Sequence, residues 1–412
     1  MQFERQASND TTRALMKTVE ETEIKHGAPK SEFHQLRYLE HTIGAPFTDG
    51  NHISVLKNGD QIFPAMLEAI ENARRSILFE TYVYWTGDVA KEFSELLAAK
   101  AKQGLQVKVL LDDHGASRMS SDLVETMTQS GVHLHWFRPM KLRFWDYDKR
   151  THRKVLVCDN QVGFTGGVGI AKEWEGDARD ASQWRETHFR IEGPAVAGLC
   201  GAFWNNWIDI SGERLPDRDT FPPAEPVGQT RVQVIRSSPA THQSEMELVF
   251  ESLIVVAKKK LTITTPYFNI RSPNIELLKK KAAQGVSIEI LLPGEHLDKR
   301  FEYFVADECL GPLADVEGIT LRRYQRSMIH AKVIRVDDAI SCVGSPNFNQ
   351  RSRKKDFEIA LVIFDREIAG TLDQHYQEDL LLSEPINPQD LHSPHMGKKL
   401  FQKLIMLFKE QL

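Results

Sequence analysis

Apolar residues along the chain recur in two patterns, one with the period of a helix and one typical of a buried strand. Residues 64–70 carry apolar side chains at helical spacing, and the apolar run 77–84 follows a few positions later. A second helix ends near Gly104 and is followed by a strand over 105–111. Alternating helices and strands predict an α/β fold, in which helices cover the faces of a sheet.

The same order of elements occurs again in the second half of the chain. Residues 247–268 repeat the first helix and strand, and Gly285 with the strand 286–292 repeats the second pair. The glycines Gly104 and Gly285 therefore mark the same point in each copy. A duplication of this length predicts two pseudo-symmetric α/β/α sandwich domains, with an active site at their interface.

Segments without this pattern suggest the domain boundaries. Residues 211–230 are rich in proline and charge and lack periodicity, which indicates a linker. The predicted parts are an N-terminal extension (1–45), a first domain (46–210), the linker (211–230), a second domain (231–390) and a C-terminal amphipathic helix (391–412). The apolar stripe of that helix is flanked by lysines, so the helix either lies on anionic lipid or docks on the protein.

Composition and charge narrow the class of protein. The 412 residues are 41% hydrophobic and 26% charged, as in an ordinary globular protein of two or three domains. The 52 Lys and Arg against 57 Asp and Glu give a net charge of −5, the wrong sign for a dedicated nucleic-acid binder. The four cysteines form no CxxC pair, which favours a reducing compartment over a disulfide framework or zinc site. We find neither an apolar stretch that could span a membrane nor a secretory signal.

The strongest chemical signal is a short motif that occurs once in each half. The spacing is His-x-Lys, four residues, Asp, six residues, and then Gly-Gly or Gly-Ser. The members are His152, Lys154, Asp159 and Gly166-Gly167 in the first copy, and His330, Lys332, Asp337 and Gly344-Ser345 in the second. The two histidines lie 178 positions apart, and apolar residues after each lysine predict a strand.

Two imidazoles and two ammonium groups in one site would suit a phosphodiester. One neutral imidazole can attack phosphorus while the other, protonated, donates to the leaving alkoxide, because the ordinary pKa of histidine lies near neutrality. The lysines would neutralise charge on the phosphate oxygens. These steps need no metal and no other cofactor, so we expect none.

This duplicated motif resembles the signature of the phospholipase D superfamily, and the chain is most similar to its cardiolipin synthase-type enzymes. The likeness covers about residues 45–380. The segments that carry it, besides the two motifs, are His41–Pro46 with Gly50-Asn51, Phe79–Tyr82, Trp184–His188, Ile191–Ala195, Gly344–Asn347 and Arg351-Ser352. The resemblance implies that His152 is the nucleophile and His330 the general acid and then base, although the pseudo-symmetry also allows the opposite order.

The resemblance also implies which residues contact the phosphate. Lys154 and Lys332 would bind it, and Asn347 with the adjacent Ser345 would assist. Gly167 would contribute through its backbone N–H group.

Alignment of the two halves places Glu186 opposite Glu358, each on a strand that follows the histidine of its own half. A carboxylate there would bond the far ring nitrogen, and the family resemblance implies this orienting role too. Glu186 stands where the synthases more often have aspartate. Gly169 occupies the position that matches Asn347, so we expect a polar contact near the phosphate to be missing on that side.

Other residues allow two interpretations. Asp159 and Asp337 end strands, where aspartate commonly binds turn backbone. Glu80 is either a buried site carboxylate or an edge residue, and His188 is either a site contact or a core histidine. Residues 141–150 interleave basic and aromatic side chains, and they either enter a bilayer interface or pack as a loop.

We therefore expect a phosphatidyl transferase that moves a phosphatidyl group from a phospholipid, such as phosphatidylglycerol, to the hydroxyl of a second lipid. Its partners would be phospholipids at the cytoplasmic side of the inner membrane, with peripheral contact and no nucleic acid. Phospholipid hydrolysis with water as acceptor is one alternative, and a nucleic-acid phosphodiesterase is another, although the net negative charge counts against it. A lipid-binding module with a decayed site is disfavoured because both motifs are complete.

Overall fold

A computed structural model describes residues 30–139, 148–214, 224–239 and 244–392. Several predicted features lie wholly or largely outside these residues. They are most of the N-terminal extension, most of the segment 141–150, the middle of the linker and nearly all of the C-terminal amphipathic helix.

Of the described strands, seven lie in the first half of the chain and eight in the second. Those of the first half are β1 (Thr48–Lys57), β2 (Ser76–Thr81), β3 (Gln106–Asp112), β4 (His133–Phe137), β5 (Val155–Cys158), β6 (Val162–Gly166) and β7 (Thr187–Glu192). Those of the second half are β8 (Thr230–Ser237), β9 (Lys260–Thr264), β10 (Ser287–Pro293), β11 (Ile319–Tyr324), β12 (Val333–Val336), β13 (Ile340–Gly344), β14 (Glu358–Phe364) and the short β15 (Ser383–Pro385).

In the described residues these strands form one continuous 15-stranded sheet, in the order β15-β11-β10-β9-β12-β13-β14-β8-β1-β7-β6-β5-β2-β3-β4. The halves meet where β1 pairs antiparallel with β8, and the order of equivalent strands is the same outward from this junction on both sides. In each half, parallel pairs (β2–β3–β4 and β9–β10–β11) adjoin antiparallel ones. This confirms the predicted duplicated α/β fold, with the two repeats joined edge to edge.

Helices cover both halves of the sheet. Their bounds are α1 (Lys30–Ile43), α2 (Asn58–Asn72), α3 (Asp88–Lys102), α4 (Ser121–Thr128), α5 (Val196–Ser211), α6 (Glu245–Val256), α7 (Ser272–Ala283), α8 (Arg300–Leu310), α9 (Gln350–Lys354), α10 (Arg366–Leu380) and α11 (Pro388–His392), with 3₁₀ turns at Lys172–Trp174 and Gly311–Leu313. None of the helices described is both long and apolar enough to cross a bilayer.

The buried apolar residues form one large cluster in each half and a third that the halves share. The shared cluster contains Phe189 and Trp207 of the first half together with Leu361 and Leu372 of the second. Helix α5 contacts β8, and α10 contacts β1, so the last long helix of each half packs on the first strand of the other. Burial of this common apolar surface holds the two halves in a fixed orientation.

The sequence suggested an N-terminal extension separate from the two domains. Its described part instead packs against the second half of the chain. Helix α1 packs against α6, and Leu39 and Ile43 are buried in the core of the second half. Gln35 Nε2 donates to Val256 O at 2.8 Å and to Asp337 Oδ2 at 3.0 Å. The apolar face of α1 has no counterpart in the repeat, so the duplication gave no indication of where it would pack.

The two motif aspartates fasten turns at the edge of each motif hairpin. The Asp159 carboxylate accepts hydrogen bonds from the backbone N–H groups of residues 74–76 at 2.7–2.9 Å. Asp337 does the same for residues 258–260, at 2.7–3.2 Å. Each carboxylate thus ties its motif to the start of the neighbouring strand, β2 or β9.

We predict that Asp337→Ala lowers the free energy of unfolding by about 2–3 kcal/mol, because several charge-assisted hydrogen bonds are lost together. The neighbouring Asp338→Ala is the matched control: Asp338 is exposed and its ion pair with Arg366 lies at the surface, so its loss costs less than about 1 kcal/mol. Urea denaturation of both variants measures the difference. Equal effects would contradict the anchoring role of Asp337.

Candidate active site

The motif histidines lie at the entrance to their strands, where the two halves touch. Strands β5 and β12 each begin one residue after the motif lysine. Thr151 forms an isolated parallel bridge with Phe357, and Ile329 forms the equivalent bridge with Arg185. The N–H of His152 donates to Phe357 O at 2.9 Å, and the N–H of His330 donates to Arg185 O at 2.7 Å. Backbone pairing between the halves therefore fixes the position of each histidine.

The bridges place each histidine beside the glutamate of the other half. His152 Nδ1 lies 3.0 and 3.1 Å from the two carboxylate oxygens of Glu358, and His330 Nδ1 lies 2.6 Å from Glu186 Oε2. The pairing implied by the sequence, each histidine with the glutamate of its own half, was therefore wrong. The reason is the backbone bridge between the halves. The residue before each histidine pairs with the residue before the glutamate of the other half, so the histidine and that glutamate become neighbours.

One cavity of about 470 Å³ connects the two motifs. His152, Lys154, His330 and Asn347 all line this cavity. Glu186 and Glu358 are fully buried behind the rings. Of the four motif side chains with a proposed chemical role, only Lys332 is absent from the lining; its Nζ lies 2.9 Å from His330 Nδ1 and donates to His330 O at 2.5 Å.

Like Lys332, two further residues expected to contact the phosphate are absent from the cavity lining. Ser345 Oγ donates to Glu358 Oε2 at 2.5 Å and accepts from the N–H of Ile359 at 3.0 Å, so it supports the carboxylate rather than lining the cavity. Gly167 occupies the equivalent place in the first half, where any β-carbon would overlap the carboxylate of Glu186. A glycine there leaves room for the glutamate.

Asn347, by contrast, does line the cavity. Its Oδ1 is buried and has no hydrogen-bond partner among the described residues, so the amide is available to a ligand. At the matching position Gly169, a side chain would overlap Val83 and Trp174. An aromatic surface replaces the polar group on that side.

Aromatic rings pack against both histidines. Trp174 and Trp184 lie with their ring centroids 5.2 and 5.3 Å from that of His330, and Tyr82 lies 5.0 Å from His152. These rings line the cavity as well. They restrict the rotamers of the imidazoles and exclude water from their faces.

Glu80 and His188 are both buried and do not line the cavity. Glu80 Oε1 accepts hydrogen bonds from Thr151 Oγ1 and, at 2.7 Å, from Asn206 Nδ2, so it holds the residue before His152. His188 is 1% exposed, and burial lowers its pKa to about 3. It is a neutral core histidine.

Burial and nearby cations control the charge of the two rings. Burial, then Lys154 and Lys332, hold the pKa of His152 well below its ordinary value. Burial and Lys332 lower the pKa of His330 to about 4. Both rings are therefore neutral at neutral pH in the empty site, whereas the sequence analysis assumed pKa values near 7.

The lysines and glutamates are perturbed too. Burial lowers the pKa of Lys154 to about 8 and that of Lys332 to about 7. For Glu186, Lys332 and His330 outweigh the effect of burial and the pKa falls below its usual value; for Glu358, burial prevails and the pKa is raised.

Two buried aspartates next to the first motif were not among the predicted site residues. Asp112 accepts from the N–H groups of Thr151 and Gly115, both at 2.9 Å, and Asp356 lines the cavity 3.0 Å from Arg351. Burial raises the pKa of each to about 7. Asp112 could have been found, because it directly follows the strand predicted over 105–111. Asp356 follows no predicted strand and belongs to neither motif. Within the described ranges, no group of three or more His, Cys, Asp or Glu residues could hold a metal ion.

A solved structure shares this fold. The crystal structure of phosphatidylserine synthase from Haemophilus influenzae Rd KW20 matches with a TM-score of 0.71 at 17% identity, over 92% of this chain and all of that one. Two repeats around one cavity, each with a His-x-Lys motif and each matched by a family model for a PLD-like domain, define a phospholipase D-like protein.

The family model described as "Cardiolipin synthase, PLD-like domain" matches twice, at residues 66–198 and 250–380. Among curated relatives, the probable cardiolipin synthase YwiE of Bacillus subtilis is 30% identical over 91% of this chain and 75% of its own length. Cardiolipin synthase A of Pseudomonas putida is 31% identical over 88% of this chain and 75% of its own. The chain belongs to the cardiolipin synthase family of PLD-like proteins.

The crossed pairing predicts the outcome of double-mutant cycles on stability. We expect His330→Asn with Glu186→Gln, and His152→Asn with Glu358→Gln, to show coupling energies of about 1–3 kcal/mol, because each pair is buried and in contact. The same-half combinations, His152 with Glu186 and His330 with Glu358, should couple more weakly, because they interact only through the shared lysines and not through a direct hydrogen bond. Urea denaturation of the single and double variants gives the four values; stronger coupling within the halves would refute the crossed arrangement.

Proposed function

We propose that this protein is a phosphatidyl transferase of the cardiolipin synthase type. It moves a phosphatidyl group from a phospholipid such as phosphatidylglycerol, through a phosphohistidine, to the hydroxyl of a second lipid. The observation that carries the proposal is the meeting of two imidazoles from separate halves in one cavity, each held at Nδ1 by a buried carboxylate. The names of the relatives, which are cardiolipin synthases, support the choice of substrate.

The carboxylates select the tautomer that the chemistry needs. With the Nδ1 proton donated to Glu358, His152 presents the lone pair of Nε2 to the cavity, where it can attack phosphorus. The bond from phosphorus to the headgroup oxygen breaks as His330 donates a proton to that oxygen. In the second half-reaction the acceptor hydroxyl gives its proton to His330 and attacks phosphorus, and the nitrogen–phosphorus bond breaks.

Substrate supplies the charge that allows one ring to carry a proton. In the empty site Lys154 and Lys332 oppose protonation of both rings. A phosphodiester anion in the cavity, beside Lys154, offsets part of this positive charge and raises the pKa of both imidazoles. His330, bonded to the ionised Glu186, then holds the proton for the leaving alkoxide. His330 can therefore act as the general acid once the phosphodiester is bound.

Lipid substrates require the cavity to open onto a membrane surface, so we propose peripheral contact with the bilayer. Placement on the cytoplasmic side stays a prediction from the cysteine pattern. Two candidate contacts of the sequence analysis, the segment 141–150 and the C-terminal helix, lie largely outside the described residues.

Purified protein incubated with phosphatidylglycerol vesicles should release glycerol and form cardiolipin, identified by mass spectrometry. His152→Ala and His330→Ala should each lose about 10³-fold or more of the rate, because each removes a group that acts on the reacting atoms. His133→Ala, at an exposed position on β4, is the control and should retain full activity. Phosphatidic acid as the main product would favour hydrolysis, and cleavage of single-stranded DNA without lipid turnover would favour a nuclease.

A donor with a p-nitrophenyl headgroup separates the two histidine roles. Because p-nitrophenolate leaves without protonation, we expect His330→Ala to regain a burst of p-nitrophenol of one equivalent, while His152→Ala stays inactive. Stopped-flow absorbance measures the burst. A burst in His152→Ala and none in His330→Ala would assign the roles in the opposite order.

A further inference from the structure

The segments after two equivalent strands each form part of the cavity wall, and the two parts differ in chemistry. The loop after β3 contributes His114 and Arg118, whereas the segment between β10 and α8 contributes Asp298 and Lys299, followed by Glu302 on the first turn of α8. The proposed mechanism uses neither wall. The two halves therefore differ in the side chains that would surround a substrate group attached to the phosphate.

Glu302 is a buried acid with unused hydrogen-bonding capacity. It is 3% exposed and lines the cavity, and its Oε2 has no hydrogen-bond partner within the described part of the chain. Buried carboxyl oxygens are ordinarily paired. Burial raises the pKa of Glu302 to about 7, so near neutrality this group can both donate and accept.

The neighbours of Glu302 make this wall polar without strong net charge. Asp298 accepts the hydroxyl of Tyr267 at 2.8 Å on both carboxylate oxygens. The ammonium of Lys299 lies 5.2 Å from the centre of the same tyrosine ring, so this wall carries a positive group as well as the carboxylate of Asp298. Such a wall suits neutral hydroxyl groups better than an ammonium group, which would need an uncompensated negative charge.

We infer that Glu302, with Asp298 beside it, binds the free hydroxyls of a glycerol headgroup and thereby sets the preference of the site for a polyol as leaving group or acceptor. The inference rests on the proposed phosphatidyl transfer. An alcohol without a hydroxyl to place at this wall would be discriminated against, because Oε2 of the buried carboxyl would then stay unpaired.

Competition between soluble alcohols tests this role. Full-length protein receives phosphatidylglycerol vesicles with deuterated glycerol, 1-propanol and ethanolamine, and mass spectrometry measures each phosphatidyl product. We expect Glu302→Leu to lower the ratio of kcat/KM for glycerol over 1-propanol about tenfold, whereas Glu302→Gln, which keeps a donor and an acceptor, changes it less than about threefold. The exposed Glu308→Leu on the same helix is the control for an apolar substitution and should leave the ratio unchanged.

Each other outcome counts against the inference. An unchanged glycerol-to-propanol ratio in Glu302→Leu would overturn it, and a greater loss with ethanolamine than with glycerol would indicate an ammonium site instead. Should Glu302→Leu fail to fold, Asp298→Asn takes its place, with an expected fall of about threefold, and no fall would be equally decisive. Wild-type protein that forms no phosphatidyl alcohol at all would reject the proposed function itself.

Discussion

Two backbone bridges between the halves of the chain determine how the site is built. Thr151 with Phe357, and Arg185 with Ile329, bring each motif histidine into contact with a carboxylate that the other half supplies. Neither half therefore contains a complete imidazole–carboxylate pair. The shared apolar core and the crossed packing of the last long helices hold the bridges in register. Catalytic geometry and the association of the repeats depend on the same contacts.

Burying this many ionisable groups is costly unless they are paired, and here the two motif lysines interact with both Glu186 and Glu358. Burial, reinforced by the two lysines, keeps both imidazoles neutral, and the carboxylates fix their tautomers. A phosphodiester anion in the cavity adds negative charge beside the rings, which favours protonation of one imidazole. The charges of the empty site therefore favour binding of a phosphodiester anion before any reaction takes place. Enzymes use this kind of preorganisation to stabilise developing charge.

Repetition made much of this structure predictable. The duplicated pattern gave the α/β fold, and it identified His152 and His330 as a matched pair. Alignment of the halves also found Glu186 and Glu358, but not their crossed pairing, because partner choice depends on how the repeats associate and no periodicity encodes that. Ser345 and Gly167 were misplaced for a related reason: their spacing indicates proximity to the site but not which side of the cavity wall they occupy.

A structure of the protein with bound orthovanadate tests the central claim most directly. Vanadate adopts the trigonal bipyramidal geometry of phosphoryl transfer, so one ion should bond Nε2 of one motif histidine and lie within hydrogen-bond distance of Nε2 of the other. Nδ1 of each ring should remain on the carboxylate of the opposite half. Vanadate bound to a single ring, with the other histidine facing a separate space, would contradict the account.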